Sequence, residues 1–363
     1  MTDFFPILGL DHLEFYVGNA RQAATYYEML FGFTRTAQRG LETGSRKVAS
    51  YLLEQGDIRF VLSTALSPAH PLAEQVLQHG DHVGVIGLAV PDAIAAYQQA
   101  TARGAVGVIP PTLVEDHCGL LRYAAIRAYG DVLLKFVDRR DYHGIFAPEF
   151  HPVTSTRSTL AVGLQTIDHI VGNVGLGEMD QWVKFFADVM GFELLVSFDD
   201  KTISTEYSAL MSKVIQDGSG KIKLPINEPA TGKRKSQIEE YLEYHQGAGV
   251  QHIALATQNI IETVSRLRDA GVEFLRVPPT YYETLGARVG QINEPIDRLA
   301  ELGILVDRDQ DGYLLQIFTQ PVQDRPTLFF EIIERHGAQS FGEGNFKSLF
   351  EAIEREQALR GNL

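Results

Sequence analysis

One unit recurs four times along this chain of 363 residues, and this repeat restricts the possible folds more than any other feature. Each copy contains an apolar strand-like run, an amphipathic helical segment, and then a glycine that precedes another strand. The distance from an aligned strand position to the glycine is 20, 19, 22 and 19 residues in the four copies. The aligned positions are His12, Val85, His169 and His252, and the glycines are Gly32, Gly104, Gly191 and Gly271.

The repeat predicts an α+β fold of tandem βαβββ modules, because strand-rich stretches follow every copy and each glycine lies where a helix end needs a positive φ angle. Two modules per domain would form two open or half-closed β-barrels, with helices outside. Residues 139–163 contain prolines, serines and threonines without a sustained period, so we place a boundary near residue 155. The predicted domains are residues 1–155 and 156–363.

The composition is that of a globular protein, with 45% hydrophobic and 21% charged residues. A formal net charge of −14 argues against nucleic acid or an anionic membrane as a partner, because both require a concentrated positive surface. No segment has membrane-spanning length, and the amino terminus lacks the features of a secretory signal. The single Cys118 cannot form an internal disulfide. We therefore expect a soluble enzyme of the reducing cytoplasm.

Three metal-ligand residue types lie inside apolar, strand-like runs, namely His169, His252 and Glu331. Burial of an ionisable side chain is costly unless the group is paired or bound to a metal, so we expect one shared partner. Two histidines and one carboxylate form a facial triad, which leaves three positions of an octahedral Fe(II) open for O2 and a bidentate substrate. Taken singly, each histidine is more often an ordinary core or surface residue, and Glu331 could be an edge charge.

Alignment of the two halves shows which of these candidate ligands have a counterpart in the first half. His169 matches His12, but His252 matches Val85 and Glu331 matches Lys135. The first half therefore lacks the ligand set, and we interpret it as a metal-free scaffold and interface in which His12 is structural.

The second half also resembles a known family, the 4-hydroxyphenylpyruvate dioxygenases of the vicinal-oxygen-chelate fold. The resemblance rests on long strings: KLPINEPATGKRKSQIEEYL (223–242), GAGVQHIAL (247–255), ELGILVDRDQDGYLLQIFTQPVQDRPTLFFEIIER (301–335) and FGEGNFKSLFEAIEREQ (341–357). It implies Fe(II), O2, a 2-oxo acid substrate, and oxidative decarboxylation with ring hydroxylation and side-chain migration to homogentisate. It also implies a homo-oligomer, either a dimer or a tetramer.

Carried over residue by residue, the family's iron ligands fall on His169, His252 and Glu331. The resemblance implies catalytic roles for Gln237, Gln316 and Phe318. It implies substrate contacts for Ser212, Asn227, Gln251, Phe329, Phe341 and Phe346. Gln251 has less support, because it is the strand neighbour of His252 and adjacent strand residues point to opposite faces.

Two strand pairings test whether these residues share one face. Residues 207–227 resemble a hairpin with its turn centred between Gly218 and Ser219, so Ser212 would pair with Pro225 and lie beside Asn227. A six-residue loop at 320–325 would likewise bring Gln316 and Phe318 next to Phe329 and Glu331. Without the resemblance, these polar residues could equally satisfy backbone groups and the phenylalanines could be plain core.

The carboxyl-terminal segment predicts an amphipathic helix over the active site, with Phe346, Leu349, Phe350 and Ile353 on one face. Asn345 is the expected N-cap, and the glycines before it form a possible hinge. The helix is either a lid or a permanently packed part of the core. The basic run Lys233, Arg234 and Lys235 is interpreted as a solvated loop, although it could attract a substrate carboxylate.

Three other functions remain open. A hydroxymandelate synthase uses the same substrate and iron but hydroxylates the benzylic carbon, although the PINEP segment and Phe318 resemble the ring-hydroxylating branch. An extradiol catechol dioxygenase shares the fold but requires acid-base residues for which no motif is found. A binding protein on the same fold would need no metal triad.

Overall fold

The computed structural model describes residues 3–153, 161–199, 209–230, 232 and 234–361, and these residues form two curled sheets with helices outside. The first half contains β1 (Gly9–Tyr16), α1 (Ala20–Phe31), β2 (Thr34–Arg39), a 3-10 helix (Leu41–Thr43), β3 (Val48–Gln55), β4 (Ile58–Ala65), α2 (Pro71–His79), β5 (His82–Ala89), α3 (Ala93–Ala102), β6 (Gly107–Asp116), β7 (Gly119–Arg127), β8 (Leu133–Tyr142) and β9 (His151–Pro152). The second half contains β10 (Leu164–Asn173), α4 (Met179–Met190), β11 (Glu193–Phe198), β12 (Ala209–Gln216), β13 (Lys223–Ala230), α5 (Gln237–His245), β14 (Gly249–Thr257), α6 (Ile260–Ala270), α7 (Thr280–Glu283), α8 (Leu285–Val289), α9 (Ile296–Leu302), β15 (Leu305–Arg308), β16 (Tyr313–Phe318), β17 (Phe329–His336) and α10 (Glu343–Leu359). None of the helices in this described part is long and apolar enough to span a membrane.

Each half consists of two βαβββ modules, so the predicted fold class is confirmed. The modules are β1–β4 with α1, β5–β8 with α3, β10–β13 with α4, and β14–β17 with α6. The first sheet has the strand order β6-β7-β8-β5-β1-β4-β3-β2-β9, and the second has the order β11-β12-β13-β10-β14-β17-β16-β15. At the centre of each sheet, the first strands of two modules pair antiparallel, β1 with β5 and β10 with β14.

The repeated glycines end helices as the spacing predicts. Gly32, Gly191 and Gly271 cap α1, α4 and α6 with φ angles of 71°, 84° and 105°, in the left-handed region that glycine adopts without steric cost. The second module differs slightly, because Arg103 caps α3 and Gly104 follows it at a φ of 102°.

The two halves share one hydrophobic core, because the outer helices of one half pack against those of the other. Helix α1 contacts α6, and α3 contacts α4. The ring of Phe330, on β17, is fully buried and its centroid lies 5.2 Å from that of Phe31 and 5.8 Å from that of Tyr27. The predicted boundary near residue 155 lies outside the described residues, between β9 and β10.

Three buried histidines, which we call the histidine cluster, also join the halves. The ring of His79, at the end of α2, stacks on the ring of His245, at the end of α5, with 4.3 Å between centroids, and His82 lies 4.9 Å from His79. Among the described residues, the Nε2 atoms of His82 and His245 are buried and have no hydrogen-bond partner. Burial lowers the pKa of His82 to about 4 and that of His245 to about 3. The folded protein therefore favours their neutral forms.

The hairpin formed by β12 and β13 corrects the predicted register. Ser212 pairs with Asn227, not with Pro225, and the turn is centred between Ser219 and Gly220. The side chain of Asp217 accepts hydrogen bonds from the backbone N–H groups of Ser219 and Ile222, and Gly220 adopts a φ of 70°. These two local constraints move the turn by one residue. The register consequently shifts by two, so Ser212 and Asn227 still share a face.

The predicted six-residue loop at 320–325 is also wrong. Phe318 pairs directly with Glu331, and the connection closes where the Thr319 N–H donates to the Phe330 carbonyl oxygen at 2.8 Å. The loop is longer because it extends to the first half. From this loop, Arg325 donates to the carbonyl oxygens of Leu77 and Gln78. The register again differs by an even number of residues, so the predicted face is preserved.

Candidate metal centre and pocket

The three proposed ligands lie on adjacent strands, His169 on β10, His252 on β14 and Glu331 on β17. Their ligand atoms lie within 4.8 Å of one another. Glu331 Oε2 is 3.2 Å from His169 Nε2 and 3.5 Å from His252 Nε2. All three side chains are buried, so the strand order brings three polar groups together below the protein surface.

The donor chemistry of these residues fits a divalent cation. His169 Nδ1 lies 2.7 Å from Asp168 Oδ1, and His252 Nδ1 lies 3.0 Å from Gln251 Oε1. Both oxygens are acceptors, so each Nδ1 carries a proton and each Nε2 faces Glu331; with a cation bound between them, the Nε2 atoms would be the metal-binding nitrogens. Metal bonds of about 2.0–2.2 Å separate adjacent ligand atoms by about 3 Å, close to the distances observed here. A cation would therefore satisfy all three donors.

Charge keeps the carboxylates of the centre ionised. Burial raises the pKa of Glu331, but the neighbouring His169 and His252 outweigh this effect and hold it below the ordinary value. Burial likewise acts against Asp168, whose pKa is held far below its ordinary value by hydrogen bonds from Arg335 and His169.

Asp168 and Arg335 support the candidate ligand His169, and the sequence interpretation did not identify them. Arg335 Nε and Nη2 donate to Asp168 at 2.7 and 2.8 Å, and Asp168 in turn orients the His169 ring. The dipeptide Asp-His occurs four times, and its copies at 11–12 and 168–169 fall at aligned positions of the two halves, so the repeat itself carried a signal for this pair.

The first half retains an equivalent arrangement of an aspartate, a histidine and an arginine, although Val85 and Lys135 stand in place of the candidate ligands His252 and Glu331. Asp11 accepts from Arg139 at 2.6 and 2.9 Å and lies 2.6 Å from His12 Nδ1. The strand registers of the two halves agree, since His12 pairs with Gly87 and Gly87 with Lys135, as His169 pairs with Ala254 and Ala254 with Glu331. The alignment of Lys135 with Glu331 is therefore structurally correct. Among the described residues, no group of possible metal ligands includes His12.

The metal centre opens into a cavity of about 80 Å³. The structure brings every sequence-predicted pocket residue to its wall, namely Ser212, Asn227, Gln237, Gln251, Gln316, Phe318, Phe329, Phe341 and Phe346. The wall also contains Leu349 and Phe350 from the predicted apolar face of the carboxyl-terminal helix, together with Val171, Phe198, Leu210, Val214 and Pro225, which the sequence interpretation did not assign to the pocket. Alternation along β12 could have indicated Leu210 and Val214, because they share the face of Ser212.

The polar groups of the pocket are incompletely satisfied within the described residues. Asn227 Nδ2 donates to Asn173 Oδ1 at 3.3 Å, while the Nδ2 of Asn173 is buried without a partner. Gln316 Oε1 is likewise buried without a partner. Gln237 begins α5, where Ser236 is the N-cap. Unsatisfied buried amides are costly, and a polar ligand would relieve that cost.

Aromatic rings enclose the two histidines of the candidate metal centre. Phe329 stacks on His252 with 4.8 Å between centroids, and Phe318 meets the same ring edge-on at 6.0 Å. Phe341 lies edge-on to His169 at 5.2 Å. Phe329 therefore fixes a ligand ring as well as lining the cavity, a role that the sequence interpretation did not assign.

Helix α10 covers the pocket through Phe346, Leu349 and Phe350, as the apolar stripe predicts. The predicted N-cap is wrong, because Gly342 occupies that position at a φ of 79° and Asn345 lies inside the first turn. Asn345 is fully buried, and its Oδ1 accepts from Tyr281 at 2.6 Å. The Asn345 side chain therefore bonds to Tyr281 and does not form the N-capping hydrogen bond that the sequence predicts. At the far end, Arg360 donates to Glu240 at 2.7 Å, so both ends of α10 are anchored.

The basic run does not point to a carboxylate site. Lys233 lies outside the described residues, Arg234 is exposed, and Lys235 Nζ donates to Glu243 on α5.

Comparisons with known proteins agree with this geometry. The model of the glyoxalase/bleomycin resistance protein/dioxygenase superfamily matches residues 9–126 and 166–317. The 4-hydroxyphenylpyruvate dioxygenase of Dictyostelium discoideum is 48% identical over 98% of this chain and 100% of its own length. That of Yarrowia lipolytica is 44% identical over 98% and 93%, respectively. A solved structure of a mutant 4-hydroxymandelate synthase from Streptomyces coelicolor superposes with a TM-score of 0.87 at 30% identity, covering 97% of this chain and all of that one. The chain therefore belongs to the glyoxalase/bleomycin resistance protein/dioxygenase superfamily and, within it, to the family of 4-hydroxyphenylpyruvate dioxygenases.

Proposed function

We propose that this protein is an Fe(II)-dependent dioxygenase that converts 4-hydroxyphenylpyruvate and O2 to homogentisate and CO2. The observation that carries the proposal is the convergence of His169, His252 and Glu331 on one side of a cavity that is lined by aromatic rings and neutral amides. Three protein ligands leave coordination positions open, as this chemistry requires. The relatives named above support the choice of substrate.

When bound, Fe(II) supplies electrons that O2 activation needs and that side chains cannot supply, together with positions for the carboxylate and 2-oxo oxygen of the substrate. The reaction is balanced without an external reductant, because the keto acid loses CO2 as both oxygen atoms enter the products. The protein must then orient the ring and exclude water.

The residues of the cavity differ in chemistry, and each type would have its own role. Phe318 and Phe341 would hold the aromatic ring near the metal, since both contact the histidine ligands. Ser212, Asn227 and Gln237 offer neutral hydrogen-bonding groups for the phenol, and Gln316 offers a buried oxygen that lacks a partner among the described residues. Gln251 would act mainly by holding the His252 ring. Phe346 and the rest of α10 would keep water out.

The remaining assignments are also proposals. Residues 1–155 would form a metal-free scaffold and interface and residues 156–363 the catalytic domain, in a cytoplasmic homo-oligomer of two or four chains. The shared core between the halves supports a scaffolding role for the first half.

The similarity to 4-hydroxymandelate synthase makes benzylic hydroxylation the second candidate. Both candidates consume the same substrate and O2, so only the product separates them.

The test is incubation of the Fe(II)-loaded protein with 4-hydroxyphenylpyruvate, with O2 uptake recorded and products identified by retention time and mass. We expect homogentisate and CO2 in a one-to-one ratio with O2. Formation of 4-hydroxymandelate would instead establish the second candidate. Absence of both products, with iron bound, would contradict the proposal.

A further inference from the structure

The first half contains a cavity of about 210 Å³ on the face that corresponds to the catalytic pocket. It is built on the same frame as the metal centre. Phe146 lies edge-on to His12 at 5.2 Å, as Phe341 does to His169, and it lies under the guanidinium of Arg139 at 4.7 Å, as Phe341 lies under Arg335. The first half therefore has a walled, partly polar cavity at this position, where Val85 and Lys135 stand in place of His252 and Glu331.

Lys135 points into this cavity from the position that Glu331 holds in the second half. The described residues give its Nζ no hydrogen bond and no ion pair, and Nζ lies only over the ring of Tyr123, 4.6 Å from the centroid. An ammonium group enclosed in this way has no directly bonded anion, and Glu14 and Asp11 favour its charged form only through attraction at longer range.

The other charges of the cavity are largely engaged. Arg139 is neutralised by its paired hydrogen bonds with Asp11. Glu14 accepts from Ser63 at 2.6 Å. Arg39 donates to Ser50 at 3.2 Å and is 3.8 Å from Glu149, whose side chain is 63% exposed and therefore well screened by solvent. Lys135 is thus the cation of this cavity that most lacks a bonded anion, and Arg39 is the second group that could donate to a bound carboxylate.

We propose that this cavity binds a small aromatic carboxylate, with its carboxylate on Lys135 and Arg39 and its ring against Tyr123, Phe146 and Phe150. The aromatic side chains all line the cavity, and the apolar part of the wall is completed by valines and Leu121. In the catalytic half, a metal would meet the carboxylate of the substrate. In the first half, the ammonium group of Lys135 would take the place of the metal. Burial lowers the pKa of Lys135, and a bound carboxylate would oppose that effect.

The experiment uses 4-fluorophenylacetate, which lacks the 2-oxo group, in a ¹⁹F NMR titration of the whole chain. We expect saturable binding to the unmodified protein and a dissociation constant at least about tenfold higher for Lys135→Met, because a charge-assisted hydrogen bond is lost. Lys135→Arg should retain most of the affinity. Lys221→Met, which removes an exposed lysine from the β12–β13 turn, is the matched control and should leave binding unchanged.

A second measurement does not depend on the folding of any variant. Acetic anhydride labelling of the unmodified protein, followed by peptide mass spectrometry, should show that 4-fluorophenylacetate protects Lys135 several-fold and does not protect Lys221. Equal affinity of the unmodified protein and a folded Lys135→Met variant would overturn the proposal. The same holds for unprotected Lys135, or for no saturation up to about 10 mM ligand. None of these outcomes decides whether the second half carries out the proposed dioxygenase reaction.

Discussion

At the scale of single residues, the two halves provide their own controls, because His12 and His169 occupy equivalent strand positions but only His169 faces two further ligands. We expect His169→Ala or Glu331→Ala to abolish stoichiometric Fe(II) binding and nearly all turnover, since losing a ligand should exceed the roughly 10–100-fold effect of losing a group that orients one. His12→Ala should change neither. Iron content per folded chain, measured by atomic emission, checks this expectation, and iron near one per chain in a ligand variant would refute the assignment.

Asp168 offers a subtler test of the same centre. Asp168→Asn keeps the size of the side chain but weakens the charge-assisted bonds to Arg335 and His169, so metal affinity should fall by about 10–100-fold. Asp11→Asn disrupts the equivalent bonds in the first half and should leave metal affinity unchanged. Competition with a chelator of known affinity measures both variants. Equal losses would mean that the effect arises from folding and not from the ligand.

Asn227 belongs to the pocket and not to the metal centre. Asn227→Ala should retain iron but impair conversion, because a buried polar partner is worth about 1–3 kcal/mol and a displaced substrate reacts far more slowly. The ratio of homogentisate formed to O2 consumed should fall, and Gln237→Ala should behave similarly. Unchanged kinetics and unchanged coupling in both variants would show that these residues are not substrate contacts.

Residue chemistry explains which parts of the centre the sequence could predict. His169, His252 and Glu331 stood out because an ionisable residue is conspicuous inside an apolar strand. Arg335 did not, because an arginine near a strand end is usually a surface residue, and only its bond to Asp168 across the sheet gives it a role.

At the scale of elements, periodicity predicted faces correctly and registers poorly. A register error of an even number of residues leaves the alternation intact, which is why Ser212 and Asn227, or Phe318 and Glu331, share a face under either pairing. The registers themselves depend on the Asp217 side chain and on the reach of Arg325 to the first half, and neither contact leaves a periodic signal.

Helix α10 is the element whose removal should separate metal binding from catalysis. A chain ending after Gly342 keeps His169, His252 and Glu331, together with the Phe341 ring, and so should still bind Fe(II). It loses the wall formed by Phe346 and Phe350, so homogentisate formation should be abolished or uncoupled from O2 consumption. A matched control, Arg360→Ala, removes only the distal anchor to Glu240 and should have a smaller effect. Full, coupled activity of a folded truncated protein would exclude a covering role, and failure to fold would identify α10 as core.

At the scale of the whole molecule, the histidine cluster makes the contact between the halves sensitive to acid. His82 has a folded pKa of about 4, below its unfolded value of about 6.5. The unfolded chain therefore binds more protons between these values, and stability is present above pH 6.5 and lost as the pH falls. This group alone should lower the free energy of unfolding by about 2 kcal/mol between pH 7 and 5.

Urea denaturation at both pH values tests this contribution. His82→Asn keeps a donor for the Gly80 carbonyl oxygen but does not titrate, so its loss of stability on acidification should be smaller by about the same amount. His143→Asn, at an exposed position, should behave like the unmodified protein. An identical pH dependence in all three proteins would contradict the assignment.

Phe330 connects the shared core directly to the candidate metal centre. It lies between Phe329, which stacks on His252, and the ligand Glu331, yet its own ring packs against Tyr27, Phe31 and Phe60 of the other half. Three consecutive residues of β17 thus connect the candidate metal centre to aromatic side chains of the first half that do not line the pocket. The aromatic core of the first half therefore helps to fix the strand that carries Glu331, and the two halves form one structural unit around the site.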